Sequence, residues 1–493
     1  MTVLHSAMAR LQDVGEDLLI KILSFCDVYT VLLVSRVDKF LHQISLTKQL
    51  WVHLLRDLGS RGLIRRPSEA EIDEYSTRDI MHEIKRIVCG PETWAPESIQ
   101  PPTIHRQVVF HPGIDMDEIF GMPLLIPGGT HAILQTSGFI GLYEVQNGKC
   151  IWQCIWQKAS ERGSIGVDLI ERGQKVRVAM VPGKFSPNAK IMICEIDLHK
   201  GESLEVFSVS MPMGNFSGDL WWCKDLRGEY MIIHIYSLGM PGGHIFVLVN
   251  WRQHQQIILT YGERSTITDL KPRLLPNHLL VTCEVSIQGK RQHSIVATAY
   301  SELDAYWHPL NIDPKTMPFS GTDFSSYPIN PPVEGKHVPI SAMAPLEFEG
   351  VPLRQQHACQ SQYIHESPIR QGVYKILSYT ISTIYPRPAH SQALLTFEFA
   401  ADESPQKIRH SGSYHSLPGS NGGEMISYAG YTVRWTDGVD VVMDMKGSRT
   451  EKRRNADFCV MKASRGWQSM YFSAVNGAVL AIADGSVVVS YYK

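Results

Sequence analysis

The chain has 493 residues, 44% hydrophobic and 19% charged, with a formal net charge of −2. That length predicts two or more domains, and the composition fills globular cores. The near-neutral balance excludes the basic footprint of a nucleic-acid binder or of a protein held on an anionic membrane. Nine scattered cysteines without CxxC pairs read as reduced thiols, not as a disulfide framework. Met1 to Asp17 lacks the apolar core of a signal peptide, and no run of eighteen apolar residues occurs. The expectation is an intracellular protein of cytoplasm or nucleus, with no membrane and no nucleic-acid partner.

Residues 1–90 contain one of the 28 prolines and four of the 38 glycines. Proline and glycine punctuate turns, so this part is predicted helical and the remainder rich in turns. After a tail (1–12), Leu18, Leu19, Ile22, Leu23 and Cys26 form a first apolar stripe, with Glu16 and Asp17 in its first turn. A second stripe runs Val31, Leu32, Val34, Val37, and continues through Phe40, Leu41 and Ile44. A third holds Leu50, Trp51, Leu54, Leu55 and Leu58, with Thr47 placed to cap it and Gly59 to end it. Ser68–Glu71 has capping-box spacing, and Ser76–Asp79 repeats it before Ile80, Ile84, Ile87 and Val88. Residues 13–60 read as a small bundle, 61–90 as its helical extension and 91–103, with four prolines, as a stiff linker.

The run Val14-Gly15-Glu16-Asp17-Leu18-Leu19-Ile20-Lys21-Ile22-Leu23-Ser24-Phe25-Cys26-Asp27 resembles the opening of an F-box, which usually has Leu-Pro, an acid, then Leu-Leu-x-x-Ile-Leu-x-x-Leu-Asp. Thr30-Val31-Leu32-Leu33-Val34-Ser35-Arg36-Val37 resembles the next family helix, and Leu50-Trp51 matches its closing pair. The version here is similar to F-box proteins common in fungi, over about a tenth of the chain. Val14-Gly15 stands in place of Leu-Pro, and Gly15 lacks proline's fixed backbone, so a more mobile corner is expected. The resemblance implies docking on a Skp-type adaptor and through it on a cullin. Val14, Gly15, Leu18, Leu19, Ile22, Leu23, Val31, Leu32, Val34, Val37, Leu50 and Trp51 are the implied adaptor-binding residues. A bundle this short buries little surface, so its surplus aliphatics suit an interface; the alternative is packing on the chain's own second domain.

Residues 104–493 read as all-β. Alternating or apolar runs recur between Gly, Asn and Asp turns, among them 130–136, 139–145, 149–156, 175–181, 190–197, 204–211, 229–236, 244–251 and 255–261. Later runs are 278–287, 294–300, 374–381, 393–399, 428–435, 439–445 and 485–492. The unit 130–156 resembles three strands of a propeller blade. Pro-Gly pairs at Pro127, Pro182, Pro241 and Pro418 suggest a period near 57 residues and about seven units. The predicted class is therefore a multidomain α plus all-β chain, an F-box bundle followed by a β-propeller of about seven blades. Irregular insertions are expected near 308–362 and 401–424, and two smaller β domains are the alternative architecture.

No nucleophile elbow, zinc-protease or phosphate-loop motif occurs, so neither catalytic residue nor cofactor nor metal is predicted. Cys150 and Cys154 lie four apart on a strand, which predicts one buried face shared with Trp152 and Trp156 rather than half a zinc site. His131 and His244 follow similar Pro-Gly-Gly turns and read as hairpin residues of two blades. Trp221, Trp222 and Trp251 suit either a binding face or a blade core. The basic run Lys446, Arg449, Lys452, Arg453, Arg454 reads as a solvated loop, as does Gly-rich 415–423. Asn215-Phe216-Ser217 reads as a chance glycosylation match. Arg252, Arg264, Arg273 and Arg434 are candidates for phosphate recognition only if they converge. The expected role is a non-enzymatic adaptor that recruits a target protein; the alternative is an interaction scaffold outside any ligase.

Overall fold

The structure is a computed structural model. It describes residues 14–64, 69–94, 103–114, 123–136, 138–155, 163–182, 190–210, 220–236, 244–261, 267–287, 290–310, 327–329, 338–339, 355–384, 389–400, 407–410, 417–418, 425–426, 428, 432–435, 439–442, 454–455, 473–475, 478–483 and 485–492. It shows a short N-terminal helical region followed by several small antiparallel sheets.

Among the described residues six helices come first: α1 (Glu16–Leu23), α2 (Val28–Val34), α3 (Lys39–Ser45), α4 (Lys48–Ser60), α5 (Glu69–Glu74) and α6 (Thr77–Cys89). Asp27 and Asp38 begin α2 and α3 by accepting the amides of Thr30 and Leu41, each at 2.8 Å. Ser76 and Asp79 form a complete capping box at α6, and Ser76's hydrogen bonds hold the Asp79 carboxyl below its ordinary range. Thr47 is the N-cap of α4 by position, but its hydroxyl donates backwards to Ile44 O (2.9 Å) instead of capping. Gly59 lies inside α4; the left-handed residue that follows the helix is Gly62 (φ 71°), where a Cβ would meet Leu169 at 2.6 Å. Ser68 lies outside the described residues. The bundle core gathers Leu19, Ile20 and Leu23 from α1, Val28 and Val31 from α2, and Leu50, Trp51, Leu54, Leu55 and Leu58 from α4. Trp51 satisfies its indole N–H on Ser45 O at 2.6 Å.

The strands begin with β1 (Ile104–Phe110). Sheet one holds β2 (Leu124–Leu125), β3 (His131–Gln135), β4 (Phe139–Glu144) and β5 (Cys150–Ile155). Sheet two holds β6 (Ser164–Ile170), β7 (Lys175–Val181), β8 (Lys190–Asp197) and β9 (Ser203–Ser210). Sheet three holds β10 (Leu220–Arg227), β11 (Tyr230–Tyr236), β12 (His244–Asn250) and β13 (Gln255–Tyr261). Sheet four holds β14 (Ile267–Leu274), β15 (His278–Ile287) and β16 (Lys290–Ala299). Next, β17 (His308–Pro309) and β18 (Tyr327–Ile329) return to β13, and β19 (Val338–Pro339) returns to β16. Sheet five holds β20 (Gln355–Glu366), β21 (Val373–Ile384), β22 (Ala389–Ala400) and β23 (Lys407–His410), with β24 (Leu417–Pro418) also on β22. Sheet six holds β25 (Met425–Ile426), β26 (Thr432–Trp435), β27 (Val439–Val442) and β28 (Arg454–Asn455). Sheet seven holds β29 (Ser473–Val475), β30 (Ala478–Ala483) and β31 (Ser486–Tyr492), and β1 from 380 residues earlier completes it by pairing with β31.

Sheets one to three bury both faces on their neighbours, because alternate side chains of a strand point to opposite sides. Val176, Val178 and Met180 of β7 pack on sheet one, while Ala179 and Val181 pack on sheet three. On β11, Met231, Ile233 and Ile235 face sheet two, and Ile232 faces sheet four. Phe110 and Val489 of sheet seven pack with Leu134 and Tyr143 of sheet one. Each fully buried side chain of this size contributes roughly 1.5–3 kcal/mol.

Several expectations are corrected here. The insertion near 308–362 is shorter, since β20 begins at Gln355; polar Gln355–Gln362 hides a strand whose register shifts between Cys359 and Ser361. Within 401–424, β23 and β24 pair with β22. The Pro-Gly repeat does not mark equivalent places: Pro127 lies between the first and second strands of its sheet, Pro182 follows the second strand of the next, and Pro418 is within β24. Pro241 lies outside the described residues. The Cys150–Trp152 face is broken by a bulge, where Tyr143 pairs with Cys150 but Leu142 with Trp152. Cys150 is exposed, Trp152 buried and Trp156 outside the described residues.

One buried charge cluster ties sheet two to sheet three. Arg177 on β7 pairs with Glu195 (2.6 Å) and Asp168 (3.5 Å) and donates to Gly228 O (2.8 Å), with its guanidinium 4.9 Å from the Trp251 ring centroid. Asp168 accepts the Gly228 amide at 2.8 Å. Burial raises the Asp168 carboxyl above its ordinary range, and the Gly228 N–H and nearby arginines oppose that rise.

Two predictions follow from these contacts. Gly15 sits at φ −57° with open space around a built Cβ, a backbone that proline adopts. Gly15→Pro is expected to stabilise the chain by about 0.4–1 kcal/mol, read as a higher urea midpoint; a lower one would show that the corner needs glycine. Arg177→Ala leaves two carboxylates without their cation and is expected to cost about 3–5 kcal/mol in the same measurement.

Candidate functional site

The bundle keeps more apolar surface outside than its core can use. Eleven large apolar side chains are exposed among the described residues, and eight of them lie between Leu18 and Leu46. Scattered exposed leucines are ordinary, and such a concentration in one small region makes it the candidate site. On α1 and the turn after it, Leu18 (56% exposed), Ile22 (49%) and Phe25 (79%) recur at spacings of four and three, so they share one outward face. From α2 onward, Tyr29, Leu32, Leu33 and Val37 form a second outward row.

Helix α1 is apolar around much of its circumference, so periodicity alone does not choose its buried side. Packing against α3 and α4 chooses Leu19, Ile20 and Leu23, which leaves Leu18 and Ile22 facing water. The twelve residues implied by the resemblance therefore divide. Leu18, Ile22, Leu32 and Val37 are exposed, and Gly15 is exposed at the start of α1. Leu19, Leu23, Val31, Leu50 and Trp51 are buried in the bundle's own core, and Val14 and Val34 are half-buried against it. The second group shapes the bundle, while the first is available to a partner. Phe25, Tyr29 and Leu33 belong with the exposed set and were missed. Their signal is present in the sequence, since Phe25 lies one helical turn from Ile22, Tyr29 one turn from Leu32 and Leu33 one turn from Tyr29.

Charges around this face are mixed. The Lys21 ammonium lies 5.1 Å from the Phe25 ring centroid. Burial, then Arg56 and Lys21, hold His53 below its usual range. Burial raises the Cys26 thiol, with Asp27 adding to it, so the thiolate nucleophile is disfavoured there.

The other candidates fall elsewhere. Trp221 and Trp251 are buried between sheets, whereas Trp222 is half-buried against His234 with ring centroids 5.2 Å apart. His131 is buried on the second strand of its sheet, and that burial lowers its basicity; His244 begins the third strand of another sheet, so the two are not equivalent. Arg252 pairs with Glu229 (3.6 Å), and Arg273 donates to Lys224 O (3.2 Å). Arg264, residues 446–453, most of 415–423 and Asn215–Ser217 lie outside the described residues. Among the described residues no group of three His, Cys, Asp or Glu side chains is placed to hold a metal, and no helix is long and apolar enough to cross a membrane.

No family model matches the chain, and no curated protein matches it. Among solved structures it is similar to the WD40 domain of SCAP from fission yeast, at 9% identity and a TM-score of 0.33, over 75% of this chain and 84% of that one. It is also similar to Sqt1 of Saccharomyces cerevisiae, at 10% identity and 0.25, over 74% and 81% of the two chains. A third likeness is Drosophila Semaphorin 2a, at 9% identity and 0.28, over 80% and 76%.

Proposed function

We propose that this chain is the target-recruiting subunit of a Skp–cullin–F-box ubiquitin ligase. Helices α1 and α2 would dock on the Skp-type adaptor, and the sheets would hold the target. The reading rests on the ordered F-box-like residues of 14–51 together with one observation. Leu18 and Ile22 on α1 with Phe25 in the turn after it, and Leu32 and Leu33 on α2 with Val37 just beyond it, stand in water on a bundle that already has a filled core. An apolar cluster of that kind forms the desolvated centre of a stable interface.

The seven sheets are read as the blades of one β-propeller. Support comes from the antiparallel order of their strands, the stacking of sheets seven, one, two, three and four in that order, and the pairing of β1 with β31, which would close the array. On this reading the chain performs no bond chemistry. It raises the local concentration of target lysines at the charged carrier, and proximity supplies the rate.

The division of α1 into outward and inward residues makes the proposal testable. Ile22→Asp places a charge on the outward face and is expected to abolish co-purification with the adaptor while circular dichroism and urea midpoint stay close to wild type. Leu19→Asp buries the same charge in the core and is expected to lower stability. A folded Ile22→Asp chain that still captures adaptor and cullin would sink the docking assignment. A wild-type chain that binds a target but never adaptor would support a scaffold outside any ligase.

A further inference from the structure

We infer that the β20–β21 turn, residues 367–372, is a built part of the helical bundle, so the bundle and the sheets form one braced body. The turn lies about 340 residues downstream of the helix it supports, yet it supplies a cap and a side chain packed on the bundle core, and Glu366, the strand residue just before it, supplies a part-buried ion-pair partner.

The cap is the most specific contact. The first amides of an α-helix have no partner within it. In α2, Asp27 Oδ1 accepts the Thr30 amide at 2.8 Å, and the Tyr29 amide donates instead to Ile369 O, at 3.0 Å, across the chain. Asp27 is shared in return: its Oδ2 accepts the Gln371 amide at 3.4 Å. Each element thus satisfies backbone groups of the other. The Arg370 guanidinium lies 5.3 Å from the Tyr29 ring centroid, and Ile369 packs against the bundle core.

Arg61, just past α4, closes the joint. Its side chain is 11% exposed, and its guanidinium pairs with Glu366 at 2.9 Å and donates to Ser367 O at 2.6 Å. The contacts continue into the sheets, since Ser367 Oγ accepts from Tyr428 (3.2 Å), whose carbonyl accepts from Lys375 (2.7 Å). Two further points brace the same side: Arg86 of α6 reaches Tyr492 O (3.4 Å), and the Gly62 backbone lies against Leu169 and Pro127. Helix α2 carries Leu32 and Leu33, with Val37 just beyond its end, so on the docking reading of the preceding section this joint would set the angle between adaptor and target. That consequence rests on that reading; the joint itself does not.

Amide exchange on the full chain tests the joint without any partner, so its failure and a failure of adaptor docking are distinguishable. In wild type the Tyr29 amide is expected to be protected. Arg61→Met keeps the aliphatic stem but loses the ion pair, and Glu366→Gln keeps the shape but loses the charge. Both are expected to speed exchange across Tyr29–Val34 by at least about tenfold while β11 amides stay unchanged. Unchanged exchange of α2 in both variants would overturn the inference, and so would acceleration in β11 as large as in α2.

Discussion

A sheet that is apolar on both faces cannot stand in water alone. That constraint organises most of this molecule. On β7, β11 and β12, successive residues alternate between two neighbouring sheets, so each sheet serves as the core of the next. Stability is therefore shared along the array and not concentrated in one centre. The Arg177 cluster belongs to this arrangement. A cation held between Asp168, Glu195 and Trp251 specifies how sheet two meets sheet three, where greasy side chains alone would tolerate sliding.

The helical bundle obeys a different balance. It is small, and its core is satisfied by one face of each helix plus Trp51 and the leucines of α4. Apolar residues beyond that requirement end up outside, on α1 and α2. Two needs pull on the same short segment: enough apolar side chains to fold, and a further set to leave exposed. The turn at 367–372 relieves part of the strain by adding Ile369 and a backbone cap from the sheets.

What could be read from residues alone follows the same physics. Strands buried on both faces write continuous apolar runs, and 175–181, 190–197, 255–261 and 278–287 coincide with β7, β8, β13 and β15. None of the runs read in this way is the first strand of a sheet. β10, β14 and β20 each carry a register shift, and a bulge interrupts the two-residue period that announces a strand. β2, β25 and β29 are two or three residues long and give no periodic signal at all. The same cause misplaced Cys150, whose bulge turns it out of the face it was expected to share with Trp152.

The amino-acid sequence by itself determined the boundary between helical and β parts, the identity of most long strands and the helix start at Ser76. These are local properties, written in period, capping residues and turn residues. It also determined that α1 and α2 carry more aliphatic residues than a small bundle hides. Tertiary structure alone decided which of them stay outside, because Leu18 and Leu19 are equal in chemistry and differ only in whether α3 and α4 lie over them. It alone decided that β1 completes the last sheet and that Ile369 caps α2. Those pairings join residues hundreds of positions apart, and no local period encodes them.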